Sequence, residues 1–394
     1  MRRLTEQPVR VGFCLHAMQV AGAEVLVSQI IESLSERIQP HIFCLDNIGQ
    51  LGKELQSSGV PVTVLGRKPG IDLFLAKRFA YELNAKRIQV IHAHQYTPFF
   101  YSAMARLRGA SGSKILMTEH GRHYPDVVSS KRRFVNRWLL TRYADHTTAC
   151  CRFSAEAMER LDGFRNVEVL YNGIQLHRHP SRVSNLDRQQ IRDRLGFADD
   201  LKYIVCIARF HPVKDHRTLV RAFARLKYTH PKTRLILVGT GTEQSTIELL
   251  ADELTIRDSV EFWGVRRDIS DILQACDAFS LASLSEAASV TLLEAMANEC
   301  PVALTDVGGN GEHVTHRIHG LLSPRGDSEA LFENLRELLD GPEQSRAMAR
   351  NARDRVEKQF RLEHAITRYA ELYESLAHDT KKKCSRNTPS MRHL

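Results

Sequence analysis

The sequence predicts an α/β protein with two doubly wound parallel sheets, one in each half of the chain. Short apolar segments alternate with longer helical patterns over residues 9–173 and again over residues 202–307. Strands that alternate with helices of roughly 10–15 residues form right-handed βαβ units and therefore a parallel sheet. A polar segment without a clear period separates the two series, which indicates two domains.

The domain boundaries follow from where the alternation stops and restarts. Residues 1–178 are expected to form a first Rossmann-like domain, residues 179–200 a linker, and residues 201–360 a second Rossmann-like domain. Residues 361–378 have the pattern of a last helix, and residues 379–394 that of a disordered basic tail.

Each predicted strand is a short apolar run. In the first series these runs are "VRVGFCL" (9–15), "PHIFCL" (40–45), "PVTVL" (61–65), "QVIHAH" (89–94), "KILMTEH" (114–120), "HTTAC" (146–150) and "VEVLYNG" (167–173). In the second series they are "KYIVCIARF" (202–210), "RLILVGTG" (234–241), "VEFWGV" (260–265), "DAFSLAS" (277–283) and "CPVALTDV" (300–307). Ligands of such sheets bind outside the carboxyl ends of the strands, so the segments that follow the strands are searched first.

Composition argues against several classes of protein. No apolar run reaches the roughly 20 residues needed to span a bilayer, and eight scattered cysteines without a CxxC pair indicate reduced thiols. The apolar start is interrupted by His16 and predicts a first strand rather than a signal peptide. No nucleic-acid-binding motif accompanies the net charge of +9. We therefore expect a cytoplasmic protein that binds no nucleic acid.

Much of the positive charge lies in the tail and in one helical segment, residues 131–142. In that segment Lys131, Arg132 and Arg133 precede Phe134 and further apolar residues. A basic helix with an aromatic and aliphatic face can rest on an anionic membrane surface, here the inner face of the cell membrane. A solvated helix whose apolar side faces the core has the same pattern, so the sequence leaves both interpretations open.

The first strand leads into "HAMQVAGAEVLV", which has the composition of a ligand-binding turn. Gly22 lies in this turn, and a helix is expected to begin at Ala23 or Glu24. Small residues let a ligand approach the backbone, and a helix N-terminus offers free N–H groups and a positive dipole to an anion. The run does not match GxGxxG, so no dinucleotide site is indicated.

The second series opens with "IARFHPVKDHRTLVRAF", which places two cations at one edge of the predicted sheet. Arg209 ends the strand, and Lys214 begins the next helix five residues later. A guanidinium and an ammonium at the carboxyl ends of parallel strands can clamp a diphosphate. Two unrelated surface cations would have the same spacing.

Two glutamates stand eight positions apart in "SEAASVTLLEAMA". Glu286 follows a predicted strand, whereas Glu294 lies in an apolar helical run and needs hydrogen-bond donors there. On one continuous helix their side chains would lie about 12 Å apart along the axis. That separation suits contacts with different hydroxyl groups of one extended ligand, although Glu294 could also be a surface residue. The backbone N–H groups at the expected helix start belong to Ala287, Ala288, Ser289 and Val290.

Together these motifs resemble the R-x4-K and E-x7-E motifs of the family 4 glycosyltransferases, which have the GT-B fold. The resemblance covers residues 9–378 and includes the continuous run 260–314. It implies two Rossmann-like domains facing across a cleft, the first binding the acceptor and the second the nucleotide sugar. It also implies that the last helix crosses back to the first domain, whereas a helix that caps the second sheet is the alternative.

The resemblance also implies roles for individual residues. Arg209 and Lys214 would bind the diphosphate, Glu286 would contact the donor sugar, and Glu294 would hold the ribose. His120, in "TEHGRH", would lie near the transferred sugar, so His120, Glu286, Arg209 and Lys214 are the catalytic candidates. Further donor contacts are implied for Gly22, Val265, Ala287, Ala288, Ser289 and Val290.

Four positions depart from the family pattern. Ala287 and Glu299 stand where glycine is usual, Ala288 where a bulky residue is common, and Asp215 where glycine usually follows the lysine. Because a left-handed backbone costs a residue with a side chain roughly 1–2 kcal/mol, we expect a negative φ at Ala287. The departures leave every charged ligand in place but bear on the selectivity for the donor sugar.

The implied reaction is a retaining transfer of a hexose-type sugar from a UDP- or GDP-sugar to a hydroxyl acceptor. A weaker resemblance to an exopolysaccharide subgroup, through "IHAHQY" and "TEHGRH", implies a lipid-linked or polysaccharide precursor as acceptor. The nucleotide sugar is a co-substrate, and no metal cofactor is expected because no carboxylate cluster has metal-ligand spacing. An epimerase or hydrolase of nucleotide sugars, or a non-catalytic subunit that binds them, are the alternatives.

Overall fold

The chain folds into two compact units, each built around its own parallel sheet. The computed structural model describes residues 7–19, 21–110, 112–121, 130–181 and 185–386. Among these, residues up to Gly121, residues 130–171 and residues from Ala365 onward belong to the first unit, and Asn172–His364 belong to the second.

Seven strands form the sheet of the first unit. They are β1 (Val9–Leu15), β2 (Ile38–Cys44), β3 (Val62–Val64), β4 (Val90–His94), β5 (Lys114–Glu119), β6 (His146–Ala149) and β7 (Glu168–Val169). All pair in parallel, in the order β3-β2-β1-β4-β5-β6-β7. The chain direction across the sheet reverses between β1 and β4, which is where a ligand of such a sheet binds.

The helices of the first unit connect these strands. They are α1 (Gly22–Ser33), α2 (Gly49–Ser57), α3 (Leu73–Ala85), α4 (Tyr96–Leu107), α5 (Ser130–Val135) and α6 (Arg152–Ala157). A π-helical segment, Asn136–Leu140, continues α5. Helix α1 begins at Gly22 itself, with Ala21 at the N-cap, rather than at Ala23 or Glu24. Glycine adopts the first helical position freely, so the turn is shorter than the sequence pattern predicts.

Six strands form the sheet of the second unit. They are β8 (Lys202–Ile207), β9 (Thr233–Val238), β10 (Val260–Gly264), β11 (Ala278–Leu281), β12 (Val302–Thr305) and β13 (Leu321–Ser323). Their order is β10-β9-β8-β11-β12-β13, and every pairing is parallel. The prediction of two doubly wound parallel sheets is therefore confirmed, and the second sheet reverses direction between β8 and β11.

The helices of the second unit include one inside the predicted linker. They are α7 (Asn185–Leu195), α8 (His216–Thr229), α9 (Gln244–Glu253), α10 (Ile269–Ala275), α11 (Val290–Ala297), α12 (Asn310–His313), α13 (Ser328–Asp340) and α14 (Pro342–Gln359). Helix α7 is held by Arg188 and Arg192, whose guanidinium groups donate to the Ala275 carbonyl at 2.8 and 3.0 Å. These guanidinium groups satisfy carbonyl groups at the C-terminus of α10. Helix α7 is therefore held in place without an apolar stripe, which is the pattern that would have predicted it from the sequence.

The last helix, α15 (Leu362–Arg386), packs on the first sheet through side chains that include Arg368 and Tyr373. The ring of Tyr373 meets that of Phe13 edge-on at 6.2 Å, and Arg368 donates to Glu168 at 2.7 Å. The helix continues past residue 378, so part of the predicted tail is helical. Residues 387–394 of that tail lie outside the described residues. Within the described part of the chain, no helix is both long and apolar enough to cross a bilayer.

Candidate active site

Two loops of the second unit converge at the point where its sheet reverses direction. Strands β8 and β11 are parallel neighbours, so their carboxyl ends lie at the same edge. The chain leaves β8 through Arg209 and a 3₁₀ turn, Pro212–Lys214, and leaves β11 through Glu286. A backbone hydrogen bond from Leu284 to the Val213 carbonyl, at 2.8 Å, joins the two loops.

An ion pair between Lys214 and Glu286 forms the centre of this edge. The ammonium of Lys214 contacts Oε1 of Glu286, and the Ser283 hydroxyl donates to the same oxygen at 2.7 Å. Only 8% of the Glu286 side chain and 19% of the Lys214 side chain are exposed. A carboxylate buried to this extent is stable because it has charged and neutral donors. Ser283 is a contributor that the sequence motifs did not indicate.

Arg209 lies at the same edge, two residues after the end of β8. It follows the end of β8 and is exposed, so its five N–H donors are open to solvent at the lip of the sheet. Gly239, after the neighbouring strand β9, approaches this segment closely. A Cβ at Gly239 would meet the Ala208 carbonyl oxygen at 2.1 Å, so only glycine permits this approach.

The prediction that Lys214 begins the next helix is wrong, because Lys214 ends a 3₁₀ turn and α8 begins at His216. Asp215 separates the two elements with a φ of 42°, in the left-handed region. Its carboxylate accepts hydrogen bonds from the Thr218 backbone and hydroxyl, at 3.3 and 2.5 Å. The capping bonds offset the backbone strain at a position where glycine is usual.

Helix α11 also begins later than predicted. Ser289 is its N-cap and accepts a hydrogen bond from the Leu292 backbone at 3.3 Å, so Val290 is the first helical residue. Glu286, Ala287 and Ala288 therefore lie in the loop before α11. The prediction of a helix that already begins at Ala287 was wrong, because the cap at Ser289 ends the loop only three residues after Glu286. Ala287 does not have a positive φ, as expected.

Glu294 lies within α11 as a largely buried carboxyl group. Its side chain is 20% exposed, and burial raises the pKa of Glu294 to about 7. The nearest ring nitrogen of His179 lies 3.9 Å away, and burial lowers the pKa of His179 to about 4. The imidazole is held from its other side by Asn298, at 3.2 Å. His179 is neutral at pH 7, so Glu294 has no cation there to stabilise its charge and a hydroxyl ligand could supply donors instead.

The first unit carries a pair of histidines at the carboxyl edge of its sheet. His94 ends β4 and His120 follows β5, and the Nδ1 of His94 lies 2.7 Å from the Nε2 of His120. Their rings are stacked with centroids 5.0 Å apart. Burial lowers the pKa of His120 to about 4 and that of His94 well below its usual value. Both rings are therefore neutral at pH 7, and one donates its proton to the other. His94 was not among the residues selected from the sequence.

The remaining candidates divide between the same two edges. Gly22 is exposed at the start of α1 in the first unit, next to the point where its sheet reverses direction. Val265 follows β10 in the second unit and is 74% exposed. Among the described residues, no three histidine, cysteine or acidic side chains gather closely enough to hold a metal ion.

Comparison with known proteins decides the family. The model of Glycosyltransferase Family 4 matches residues 20–178, and the model of Glycosyl transferases group 1 matches residues 187–355. The N-acetyl-alpha-D-glucosaminyl L-malate synthase of Bacillus anthracis is 30% identical over 79% of this chain and 81% of that protein. The chain belongs to the family 4 glycosyltransferases.

A further relative covers most of the length of this glycosyltransferase. A Campylobacter jejuni relative is 24% identical over 88% of this chain and 94% of its own length. It is an N-acetylgalactosamine-N,N'-diacetylbacillosaminyl-diphospho-undecaprenol 4-alpha-N-acetylgalactosaminyltransferase.

Solved structures share the fold of the glycosyltransferase. A glycosyltransferase from Rickettsia africae superimposes with a TM-score of 0.81 and 18% identity, over 94% of this chain and 99% of that one. Anabaena HepE in complex with UDP-glucose has a TM-score of 0.81 and 23% identity, over 93% of this chain and 99% of that one. These likenesses establish the GT-B fold.

Proposed function

We propose that this glycosyltransferase moves a hexose-type sugar, with retention, from a UDP- or GDP-sugar to a hydroxyl acceptor. In this proposal the second domain binds the nucleotide sugar and the first binds the acceptor, with no metal cofactor. The observation that carries the proposal is the buried pair of Lys214 and Glu286 beside Arg209, where the second sheet reverses direction. Binding of UDP-glucose by HepE, a protein of the same fold, favours a uridine nucleotide.

The two cations would bind the diphosphate. The ammonium of Lys214 has three donors, and its contact with Glu286 uses one of them. The other two and the exposed guanidinium of Arg209 can reach phosphate oxygens at the lip of the sheet. As the sugar leaves, negative charge grows on the diphosphate, and each such donor is worth about 3–4 kcal/mol of transition-state stabilisation. The backbone N–H groups of residues 287–290 would bind the same phosphates.

The carboxylates would hold the two ends of the donor. Oε1 of Glu286 is occupied by Lys214 and Ser283, which leaves Oε2 to accept from hydroxyl groups of the sugar. Glu294 would accept from the ribose hydroxyls, and those donors would supply the solvation that burial removes. Gly22 would lie against the phosphates and Val265 against the nucleobase.

The first domain would supply His120 beside the transferred sugar. Because the pKa of His120 is about 4, its ring is neutral at pH 7 and acts as a hydrogen-bond partner rather than as a cation. In a retaining transfer the departing phosphate itself takes the acceptor proton. No protein base is then required.

A lipid-linked or polysaccharide precursor is the proposed acceptor. The name of the Campylobacter jejuni relative describes transfer to a sugar on diphospho-undecaprenol, which supports a lipid-linked acceptor. The name of the Bacillus anthracis relative describes L-malate instead, so acceptors differ within the family. A lipid-linked acceptor would bring the protein to the inner face of the cell membrane as a peripheral protein.

A panel of UDP- and GDP-sugars tests the donor. A bound donor raises the melting temperature by mass action, so the true donor gives the largest shift. Transfer to undecaprenyl-diphosphate saccharides is then followed by NMR, where the anomeric coupling constant reports retention or inversion. Incubation of the donor without acceptor distinguishes the alternatives, because an epimerase or hydrolase would consume the donor and a transferase would not. Inversion, or loss of donor at the same rate without acceptor, would contradict the proposed reaction.

A further inference from the structure

Two groups of apolar side chains on the first unit are exposed to solvent. The α3 patch consists of Ile71, Leu73 and Phe74, which are 74, 47 and 87% exposed. The α5 patch consists of Phe134 and Trp138, each 64% exposed, with Leu139 at 45%. Exposed apolar groups of this size in one domain mark an interaction site more often than a random surface.

Basic side chains surround both patches. The exposed cations of the α3 patch are Lys68, Lys77 and Arg78. Its single acid, Asp72, is the N-cap of α3 and accepts a hydrogen bond from the Leu75 backbone at 3.0 Å.

The α5 patch has the same character. Its exposed cations are Arg133, Arg137 and Arg142. Residues 130–143 contain no acidic residue at all. Both patches therefore combine apolar groups with a strong excess of positive charge.

Helix α4 brings the two patches together, although about 60 residues of chain separate them. The hydroxyl of Tyr101 accepts from the Asp72 backbone at 3.0 Å and donates to the Gly70 carbonyl at 3.4 Å, which holds the α3 patch. The hydroxyl of Tyr96 donates to Asn136 in the segment that continues α5. Five residues separate the two tyrosines, or about 7.5 Å of helix. Both patches are thus anchored beside the first half of α4.

Topology puts the patches on one face of the sheet. Helices α3, α4 and α5 connect β3 to β4, β4 to β5 and β5 to β6, so the chain crosses the sheet in one direction each time. Because such crossovers are right-handed, helices that connect strands in the same direction lie on the same face. The opposite face carries α1 and α2, which run the other way.

A basic cavity of about 590 Å³ opens beside the α5 patch. Its lining includes Arg137, Arg142 and Arg165, together with Thr141 and Asn166. The one acid in the lining, Asp145, is already paired with Arg106 and Lys114. The arginines of the cavity match the phosphate of a lipid headgroup in charge and hydrogen-bonding capacity.

We infer that the α3 and α5 patches form one docking surface for an anionic lipid bilayer. The apolar side chains enter the boundary between headgroups and acyl chains, and the cations contact the phosphates. A bilayer can accommodate two separate apolar groups at once, whereas a protein partner would need a shape that fits both. Docking concerns the surface of the first unit and does not depend on the proposed sugar transfer.

Vesicle binding tests the docking surface. The wild-type protein is sedimented with vesicles of phosphatidylcholine alone and with vesicles that contain about one-third phosphatidylglycerol. We expect binding to the anionic vesicles only, and weaker binding when NaCl is raised well above physiological strength, because salt screens surface charge. Equal binding to both vesicle types, or to neither, overturns the inference.

Substitutions in each patch test whether the two act together. Phe74→Ser and Trp138→Ser are each expected to weaken binding at least about tenfold, since each removes a large apolar group from the bilayer. Tyr228→Ser is the matched control, because Tyr228 is 90% exposed but lies in the second unit. All three side chains are exposed, so melting temperatures should stay unchanged. Loss of binding in only one of the two patch variants would overturn the single shared surface.

Tryptophan fluorescence gives a second readout. The chain has two tryptophans, so Trp263→Phe leaves Trp138 as the only indole. Its emission should shift to the blue with anionic vesicles and be quenched by brominated lipids. An unchanged emission spectrum in vesicle-bound protein would show that another surface binds, and would overturn the assignment. The sugar-transfer proposal fails by a separate route, through the donor panel.

Discussion

The two sheets use different chemistry at equivalent edges. At the carboxyl edge of the second sheet, Lys214 and Glu286 are charged groups that stabilise each other within hydrogen-bonding distance. At the carboxyl edge of the first sheet, His94 and His120 are kept uncharged by burial and bond to each other as neutral rings. The same fold thus places a compensated ion pair in one unit and a neutral hydrogen-bonding pair in the other.

The difference between the charged pair and the neutral pair fits the binding task proposed for each sheet edge. A diphosphate needs positive charge, which Arg209 supplies together with Lys214, the partner of the buried Glu286. A transferred sugar needs hydrogen-bond partners that do not compete for the diphosphate, and neutral imidazoles meet that need. Deeper in the first sheet, His92 continues this chemistry, bonded to Tyr373 and Thr118 at 2.7 Å each.

Removing the Lys214 ammonium from the carboxyl edge of the second sheet should have the largest effect on catalysis. We expect Lys214→Ala to lower kcat/KM by about 100- to 1,000-fold, because it removes a phosphate donor and leaves Glu286 buried without its cation. Lys232→Ala is the control, since Lys232 is 72% exposed in a surface ion pair with Asp200. Steady-state kinetics with the identified donor measure both. Wild-type kcat/KM in both Lys214→Ala and Glu294→Ala would show that the second edge does not bind the donor.

Glu294 is the exception to the comparison, because no lysine or arginine of the described residues is paired with its carboxyl group. Its folded pKa of about 7 exceeds the unfolded value, so folding favours the protonated form. The free energy of unfolding should therefore fall as pH rises from about 4.5 to about 7, by roughly 1.4 kcal/mol per pKa unit. Glu294→Gln should remove this fall and stabilise the protein at pH 8 by about 2–3 kcal/mol.

The same variant should bind the donor more weakly. A carboxylate accepts stronger hydrogen bonds from ribose than an amide does, so we expect about tenfold lower affinity for the nucleotide at pH 8. Urea unfolding at several pH values and calorimetric titration measure the two effects. Glu253→Gln, at an exposed position of α9, is the control and should change neither. A variant that loses stability at pH 8 would mean that Glu294 is stabilised by a partner when charged.

The charge state of His120 tests whether the histidine pair at the carboxyl edge of the first sheet is neutral. We expect its imidazole to titrate with a midpoint at about 4, followed by NMR of the ring C–H protons. Because the folded pKa is depressed, its contribution to stability is complete above about 6.5 and is lost as pH falls towards 4. His120→Asn should lower kcat/KM about tenfold by removing one hydrogen bond to the sugar. His364→Asn, at an exposed position, serves as the control. A midpoint near 6.5 would end the contrast between the two edges.

The smallest expected effect concerns backbone strain near the second edge. Glu299 follows the end of α11 with a φ of 52°, in the left-handed region that glycine usually occupies at this position. Glu299→Gly should raise the free energy of unfolding by about 1 kcal/mol without changing kcat/KM. Asp215→Gly is the comparison, because Asp215 has a similar φ and the loss of its cap on α8 should offset the gain from relieved strain. An equal gain in both variants would mean that the aspartate cap contributes nothing.

Sequence patterns predicted which strands and helices exist better than they predicted the residues at which these elements begin and end. The parallel strands with strong apolar runs were predicted, but β13 was missed because its apolar run consists of only two leucines. Helix α7 was missed because arginine–carbonyl bonds hold it rather than an apolar stripe. Caps moved the starts of α1 and α11, since one capping residue decides where a helix begins.

By itself the sequence determined the alternation of strands and helices and the kinds of charge that follow β8 and β11. Local periodicity and residue type decide both, and neither needs a distant partner. Only the tertiary structure decided which groups meet, such as Ser283 and Lys214 on one carboxylate, His94 on His120, and two exposed patches beside α4. These pairings, and the pKa shifts that come from burial, depend on parts of the chain far apart in sequence, and only folding brings those parts together.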